Sequence, residues 1–229
     1  MKNAIVLLMA GAAWAQIQQP HIGVMLAGDG SARPLMGVAG SMTVGGAIAE
    51  GVVSMGCSAQ LCLMKTASSI ESATGVVSAP PGSAMFWFSG DSALVYFPAA
   101  KRLARWHGDR LDPVNFDVAG EILSIRQAAD GSIQFAVRAG REIWIEGQSG
   151  AMIASLPRAI GPVILLDDGV LFATGDGLVL RRDNATEIRF AIGRVQTLSW
   201  LGGNYVQASD WAIRVDAGHE AMFLLPGSK

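Results

Sequence analysis

Glu121-Ile122-Leu123-Ser124-Ile125, Asp130-Gly131-Ser132-Ile133, Glu142-Ile143-Trp144-Ile145 and Gly150-Ala151-Met152-Ile153 follow one another along a single stretch of the chain. Each segment is short, apolar and rich in β-branched or aromatic residues, and Gly, Asp and Ser separate them. Helical periodicity is absent, so the block reads as four strands joined by tight turns. The same pattern extends outward in both directions from about residue 80. Runs such as Met85 to Phe88, Ala93 to Phe97, Val163 to Leu166, Val170 to Ala173, Val195 to Leu201 and Met222 to Leu225 are its further strands.

The turns recur at a fixed period. Those between first and second strands stand at Gly90-Asp91, Asp130-Gly131, Asp168-Gly169 and Gly202-Gly203, with steps of 40, 38 and 34 residues. Those between third and fourth strands, at Gly108-Asp109, Gln148-Ser149, Asp183-Asn184 and Ala217-Gly218, keep a similar spacing. Four strands per repeat at this period predict an all-β fold, a β-propeller of about six blades. The blades span 81–117, 118–158, 159–193 and 194–229, preceded by 51–80 and a partial blade within 21–50. In that partial blade, Ile22 to Ala27 and Arg33 to Val38 flank a turn at Gly28-Asp29-Gly30, and its first two strands are missing. Five blades are the alternative.

The 121–153 block resembles a repeat of the WD40, NHL and quinoprotein-like propeller group, and the resemblance extends over about two thirds of the chain. The WD40 Gly-His and Trp-Asp dipeptides and a recurring NHL-type Asp are missing from it. The resemblance implies a fold, which leaves function open.

Met1-Lys2, the apolar run Ala4 to Ala13 and the small-x-small site Ala13-Trp14-Ala15 read as a secretory signal peptide (1–15), so that residues 16–229 form one exported propeller domain, periplasmic or extracellular. The apolar run is too short for a membrane span, and none is expected later. With 51% hydrophobic and 16% charged residues and a net charge of −2, the chain is neither disordered nor suited to nucleic acid. Cys57 and Cys62, the only cysteines, flank a four-residue loop. In an oxidising compartment they can close a hairpin as a disulfide; otherwise they are two small buried thiols.

No motif reaches the level of a reaction. Gly147-Gln148-Ser149-Gly150-Ala151 lacks the last glycine of a nucleophile elbow and reads as a hairpin turn, and Gly40 to Gly46 lacks the lysine of a phosphate loop and reads as a backbone loop between blades. His21, His107 and His219 have no ligand spacing. Trp106, Trp144 and Trp211 fall in third strands, where packing between blades explains them better than an aromatic cage. Glu50, Asp117 and Glu121 lie near blade entrances and are the candidates for the channel mouth, although Ala84, Pro162 and Arg194 at corresponding positions argue against a ring of metal-binding oxygens. No cofactor or metal is expected.

The segment 37–84 carries only Glu50, Lys65 and Glu71 as charged groups and is the candidate surface for a protein partner. The sequence thus favours a non-catalytic exported propeller that binds a protein or other ligand through its face or central channel. A propeller hydrolase or lyase is the alternative. Three or more carboxylates or imidazoles converging on one channel mouth would favour the enzyme, and their absence the binder.

Overall fold

The computed structural model describes residues 20–227, and the leader read at 1–15 lies outside them. Twenty-three strands form six antiparallel sheets, and no helix occurs among the described residues. The first sheet has three strands, β1 (His21–Leu26), β2 (Ala32–Val38) and β3 (Ser41–Val44). The second contains β4 (Ser54–Cys57), β5 (Cys62–Lys65), β6 (Ser69–Ser72) and β7 (Gly75–Ser78). The third contains β8 (Met85–Ser89), β9 (Ser92–Phe97), β10 (Arg102–Trp106) and β11 (Leu111–Val114). The fourth contains β12 (Glu121–Gln127), β13 (Ile133–Ala139), β14 (Glu142–Gly147) and β15 (Met152–Ser155). The fifth contains β16 (Val163–Leu166), β17 (Gly169–Thr174), β18 (Gly177–Arg182) and β19 (Glu187–Phe190). The sixth contains β20 (Leu198–Gly202), β21 (Tyr205–Ala208), β22 (Trp211–Arg214) and β23 (Ala221–Leu224). This is a six-bladed β-propeller.

Strand periodicity builds the interfaces between blades. In β16 and β17, Val163, Leu165, Val170 and Phe172 pack against the fourth blade, while Ile164, Leu166, Leu171 and Ala173 pack against the sixth. Because successive side chains point to opposite faces and both faces are covered, these strands are apolar throughout instead of alternating with polar residues. The buried apolar residues form one cluster at each of the six seams. The two clusters flanking the first blade are the smallest, built on Val24, Ala32, Val52, Met55 and Cys57 on one side and on Leu35, Leu201, Ala212 and Leu225 on the other.

The first blade differs from its sequence reading in two ways. Ser41–Val44 is a strand paired with β2, where a loop was expected, so the blade lacks one strand and not two. The reason is local: positive φ at Gly37 and Gly40 makes a tight turn that brings Met42 opposite Gly37, and Met42 and Val44 then bury against the sixth blade. The missing strand is the innermost one, and β20 of the sixth blade packs directly on β4 of the second. Six sheets therefore surround a channel walled by five inner strands.

That arrangement leaves the inner edge of β1 without a strand partner. The side chain of Gln207 on β21 supplies one: Leu26 N–H donates to Gln207 Oε1, and Gln207 Nε2 donates to Leu26 O, both at 3.2 Å. A carboxamide thus reproduces the bond pair of a β-ladder across 181 residues of sequence. At the other end of β1 the backbones of Gly23 and Leu201 approach so closely that a Cβ on Gly23 would lie 1.9 Å from Leu201 O. Only glycine fits there.

Lys65, at the end of β5, has no solvent exposure, and its Nζ donates one hydrogen bond, 2.6 Å long, to Thr66 O. No carboxylate pairs with it among the described residues, and desolvation holds its pKa below the usual lysine value.

Two outcomes follow for stability. Gln207→Leu leaves the edge of β1 unpaired and also removes the bond from Gln207 Nε2 to Ser209 O, and at roughly 1 kcal/mol for each of these lost hydrogen bonds it is expected to cost about 3 kcal/mol. Urea unfolding measures the loss, and hydrogen exchange should accelerate at Leu26 but not in β13. Lys65→Met removes a buried charge of similar length and is expected to stabilise the protein. In the native protein the depressed lysine pKa means that the unfolded chain binds more protons in the alkaline window below about 10.4, so stability there rises with pH. Chemical denaturation across that window should show the rise in the native protein and its loss in the variant.

Candidate functional site

The inner strands β4, β8, β12, β16 and β20 line the channel with alternate unpaired backbone groups and with side chains from their ends. Two cavities lie along it, each of about 340 Å³, and Trp200 is the one residue that lines both. Trp200, which also packs on the seam between the fifth and sixth blades, lies where the two meet.

The cavity at the N-terminal ends of the inner strands is neutral. Ser54, Ser83, Ser124, Thr197 and Ser199 alternate around it with Met55, Met85, Leu123, Ile164 and Leu198, and no charged side chain lines it. Two of these hydroxyls join neighbouring blades. Ser54 Oγ accepts the Ala84 N–H at 2.8 Å, and Ser124 Oγ accepts the Leu165 N–H at 3.0 Å.

The mouth at the C-terminal ends of the inner strands has different chemistry. Trp87, Phe88 and Trp200 wall it, with Leu166, Val215 and Cys57 between them, and Asp167, Asp168, Asp216 and Asn204 stand on its rim. The strand pattern places these groups. Phe86 and Phe88 of β8 face the second blade and stack at 6.3 Å, so Trp87 between them turns to the fourth blade. A Cβ on Gly56 would come within 3.1 Å of the Phe88 ring, and its absence lets that ring lie flat on β4. Cys57 and Cys62 are directly opposite one another in the β4–β5 ladder and are joined as a disulfide, which closes the hairpin at the mouth's edge.

Two of the three rim aspartates are committed to arginines. Arg182 Nη1 donates to both oxygens of Asp168 at 2.6 and 2.8 Å, and its Nη2 donates to Glu220 at 2.8 Å and to Val215 O. This guanidinium, with 7% side-chain exposure, fastens the fifth blade to the sixth. Arg214 grips Asp216 through two bonds of 2.6 and 2.7 Å and holds its carboxyl below the usual range. Asp167 is exposed and has no hydrogen bond or ion pair among the described residues. The rim thus gathers three carboxylates at one mouth, the number that the sequence reading set as favouring an enzyme, but two of them are engaged by arginines and no imidazole lines it.

Glu50, Asp117 and Glu121, the candidates from sequence, are all exposed and line neither cavity. Glu121 pairs with Arg138 at 3.2 Å, and Asp117 donates its backbone N–H to Gln148 O. Glu50 lies on the approach to the second blade, and Asp117 and Glu121 both lie at the entry to the fourth. His107 and His219 each lie beside an aspartate, Asp112 at 3.4 Å and Asp216 at 3.5 Å. Among the described residues no group of three or more His, Cys, Asp or Glu could hold a metal ion. Trp106 is fully buried between blades and Trp211 packs on the seam between the fifth and sixth, whereas Trp144 is half-buried and donates to Glu142. Sequence reasoning missed Trp87, Trp200 and Asp167. The available signal was positional: Trp200 and Asp167 directly flank the turns Gly202-Gly203 and Asp168-Gly169, at the inner ends of first strands.

No protein family matches this chain, and no curated protein matches its sequence. Solved structures are similar to it in shape, and what they share is the propeller class. A protein of unknown function from Bacteroides caccae superposes with a TM-score of 0.53 at 13% identity, over 88% of this chain and 85% of that one. PorZ, a surface component of the type-IX secretion system of Porphyromonas gingivalis, does so with 0.50 at 11% identity, over 92% of this chain and 39% of that one. Virginiamycin B lyase from Staphylococcus aureus gives 0.48 at 11% identity, over 93% and 87%. At these identities the likeness is one of fold alone. Among the described residues no helix is long and apolar enough to cross a membrane.

The Arg182 latch has an acid signature. Its hydrogen bond to Glu220 depresses that carboxyl's pKa, so the stabilisation is present above the ordinary glutamate pKa and is lost as pH falls through the lower folded value. Glu220→Gln is expected to be less stable than the native protein at pH 7, and the gap should narrow steadily below about pH 4 in urea titrations.

Proposed function

We propose that this protein is an exported, non-catalytic binding propeller whose ligand site is the mouth of the central channel. One observation carries the reading: a cavity at the channel mouth lined by three aromatic residues, in which two of the three rim carboxylates are already tied to arginines. Apolar walls with a few fixed polar groups are what a binding pocket requires. A hydrolase or lyase would require free acid and base groups facing each other across the cavity, and the arginine pairs weigh against that alternative.

The low-charge stretch 37–84 supports a protein as partner. Val38, Ile48, Val53 and Val76 within it are 57%, 55%, 47% and 66% exposed, on the first two blades and the connection between them. Large apolar side chains left in water at this density favour contact with another macromolecule. Export rests on the leader at residues 1–15 and accords with the Cys57–Cys62 bond.

Two measurements test this reading. Ligand-observed NMR with a diverse fragment set is expected to give hits on the native protein that Trp200→Ala abolishes; hits that survive the substitution would move the site elsewhere. Cell fractionation followed by mass spectrometry should find the protein outside the cytoplasm and beginning at Gln16, and retention of residues 1–15 would overturn export.

A further inference from the structure

The mouth's chemistry narrows the ligand, on the premise that the mouth is the binding site. We propose that it takes a cationic side chain, the ammonium of lysine or the guanidinium of arginine, presented by a polypeptide. Three independent features converge on that class.

The first is charge. No lysine or arginine lines the cavity, while Asp167, Asp168 and Asp216 do. Arg182 divides itself between Asp168 and Glu220, Arg214 serves Asp216, and Arg126 is held at the back on the carbonyls of Leu166 and Gly169. Of the four carboxylates Asp167, Asp168, Asp216 and Glu220, three are met by the two guanidiniums of Arg182 and Arg214, and Asp167 is the one of the four with no partner among the described residues. An arriving cation completes that balance.

The second feature is the wall. Trp87, Phe88 and Trp200 present ring surface to the same cavity as Asp167, and a cation over an indole face gains about 0.5–2 kcal/mol, more as water is excluded. A carboxylate beside aromatic rings selects against anions and also against neutral apolar groups, which leave the carboxylate desolvated without compensation.

The third feature distinguishes a peptide from a free amine. Trp87 is 8% exposed, the part that remains open lines this cavity, and its indole N–H has no hydrogen-bond acceptor among the described residues. The exposed Asn204 carboxamide on the rim is likewise unengaged. Both donors are open to the cavity and free to donate to carbonyl acceptors, which the peptide bonds flanking a lysine or arginine residue supply. The cavity, about 340 Å³, accommodates one such side chain.

The test uses Nα-acetyl-arginine methylamide and Nα-acetyl-lysine methylamide against two neutral analogues of matched size, Nα-acetyl-citrulline methylamide and Nα-acetyl-norleucine methylamide, with putrescine as the free amine. Indole fluorescence and calorimetry follow binding to the full mature chain. The acetylated cations are expected to bind at least about tenfold more tightly than the neutral analogues, with putrescine weaker than either. Asp167→Asn should remove about tenfold of that affinity while circular dichroism and thermal unfolding stay unchanged, since Asp167 holds nothing in place. Equal binding of the neutral analogues, or an Asp167→Asn variant with native affinity, would overturn the cation while leaving the mouth as the binding site. Putrescine binding as tightly as the acetylated cations would overturn the peptide part alone. Failure of every probe, together with fragment hits insensitive to Trp200→Ala, would sink the mouth reading itself.

Discussion

A propeller blade can bury its two faces only against its neighbours, so every seam must close for any blade to be fully packed. Here the demanding seam is the one between the first and last blades, where the chain's two ends meet without a shared sheet. The first blade arrives without an innermost strand, and its flanking apolar clusters are the smallest of the six. Polar and backbone devices make up the difference. Gln207 completes the edge of β1, and glycines at 23 and 202 let two backbones approach where side chains would hold them apart. A carboxamide suits that task because it sets an acceptor and a donor at the spacing of a peptide group, with a second N–H left to donate to Ser209 O.

The consequences of that closure reach the channel. Because β1 stands behind β4 and β20, the channel is walled by five strands and is narrower than six would make it. One tryptophan, Trp200, lines both of its cavities. The two cavities diverge chemically because they gather residues from opposite ends of the same strands: hydroxyls and methionines at one end, turn aspartates and rings at the other. The arginines of the sixth seam serve the ring and the site together. Arg182 fastens two blades and, in doing so, ion-pairs Asp168 and Glu220. A rim that would otherwise have several free carboxylates is left with Asp167.

The repeat was legible in the chain because turns are written in local chemistry. Asp130-Gly131, Asp183-Asn184 and Gly202-Gly203 each serve a tight turn by themselves, through glycine φ or an Asx-type bond such as Thr186 N–H to Asn184 Oδ1. Periodicity of those turns, with apolar runs buried on both faces, leads to a ring of four-stranded blades without any knowledge of contacts. The strand at Ser41–Val44 escaped notice because its own residues, Ser-Met-Thr-Val, alternate weakly and lie among glycines that also suit a loop. Its strand character comes from β2 beside it.

The candidate site was less legible, for a geometrical reason. Glu50, Asp117 and Glu121 are near blade entrances in sequence, but all three are exposed and none lines either cavity. Trp87, Trp200 and Asp167 belong to three different blades and lie up to 113 residues apart along the chain. Sequence by itself determined the class of fold and the spacing of its repeats, since these depend on alternation and turn chemistry within a few residues, whereas the pairing of Cys57 with Cys62, open in the sequence, was decided by their opposition in the β4–β5 ladder. Tertiary structure alone decided which ends of the inner strands converge, that Gln207 would close the ring on Leu26, and which aspartate would be left unpaired, because each is fixed by which blade lies beside which.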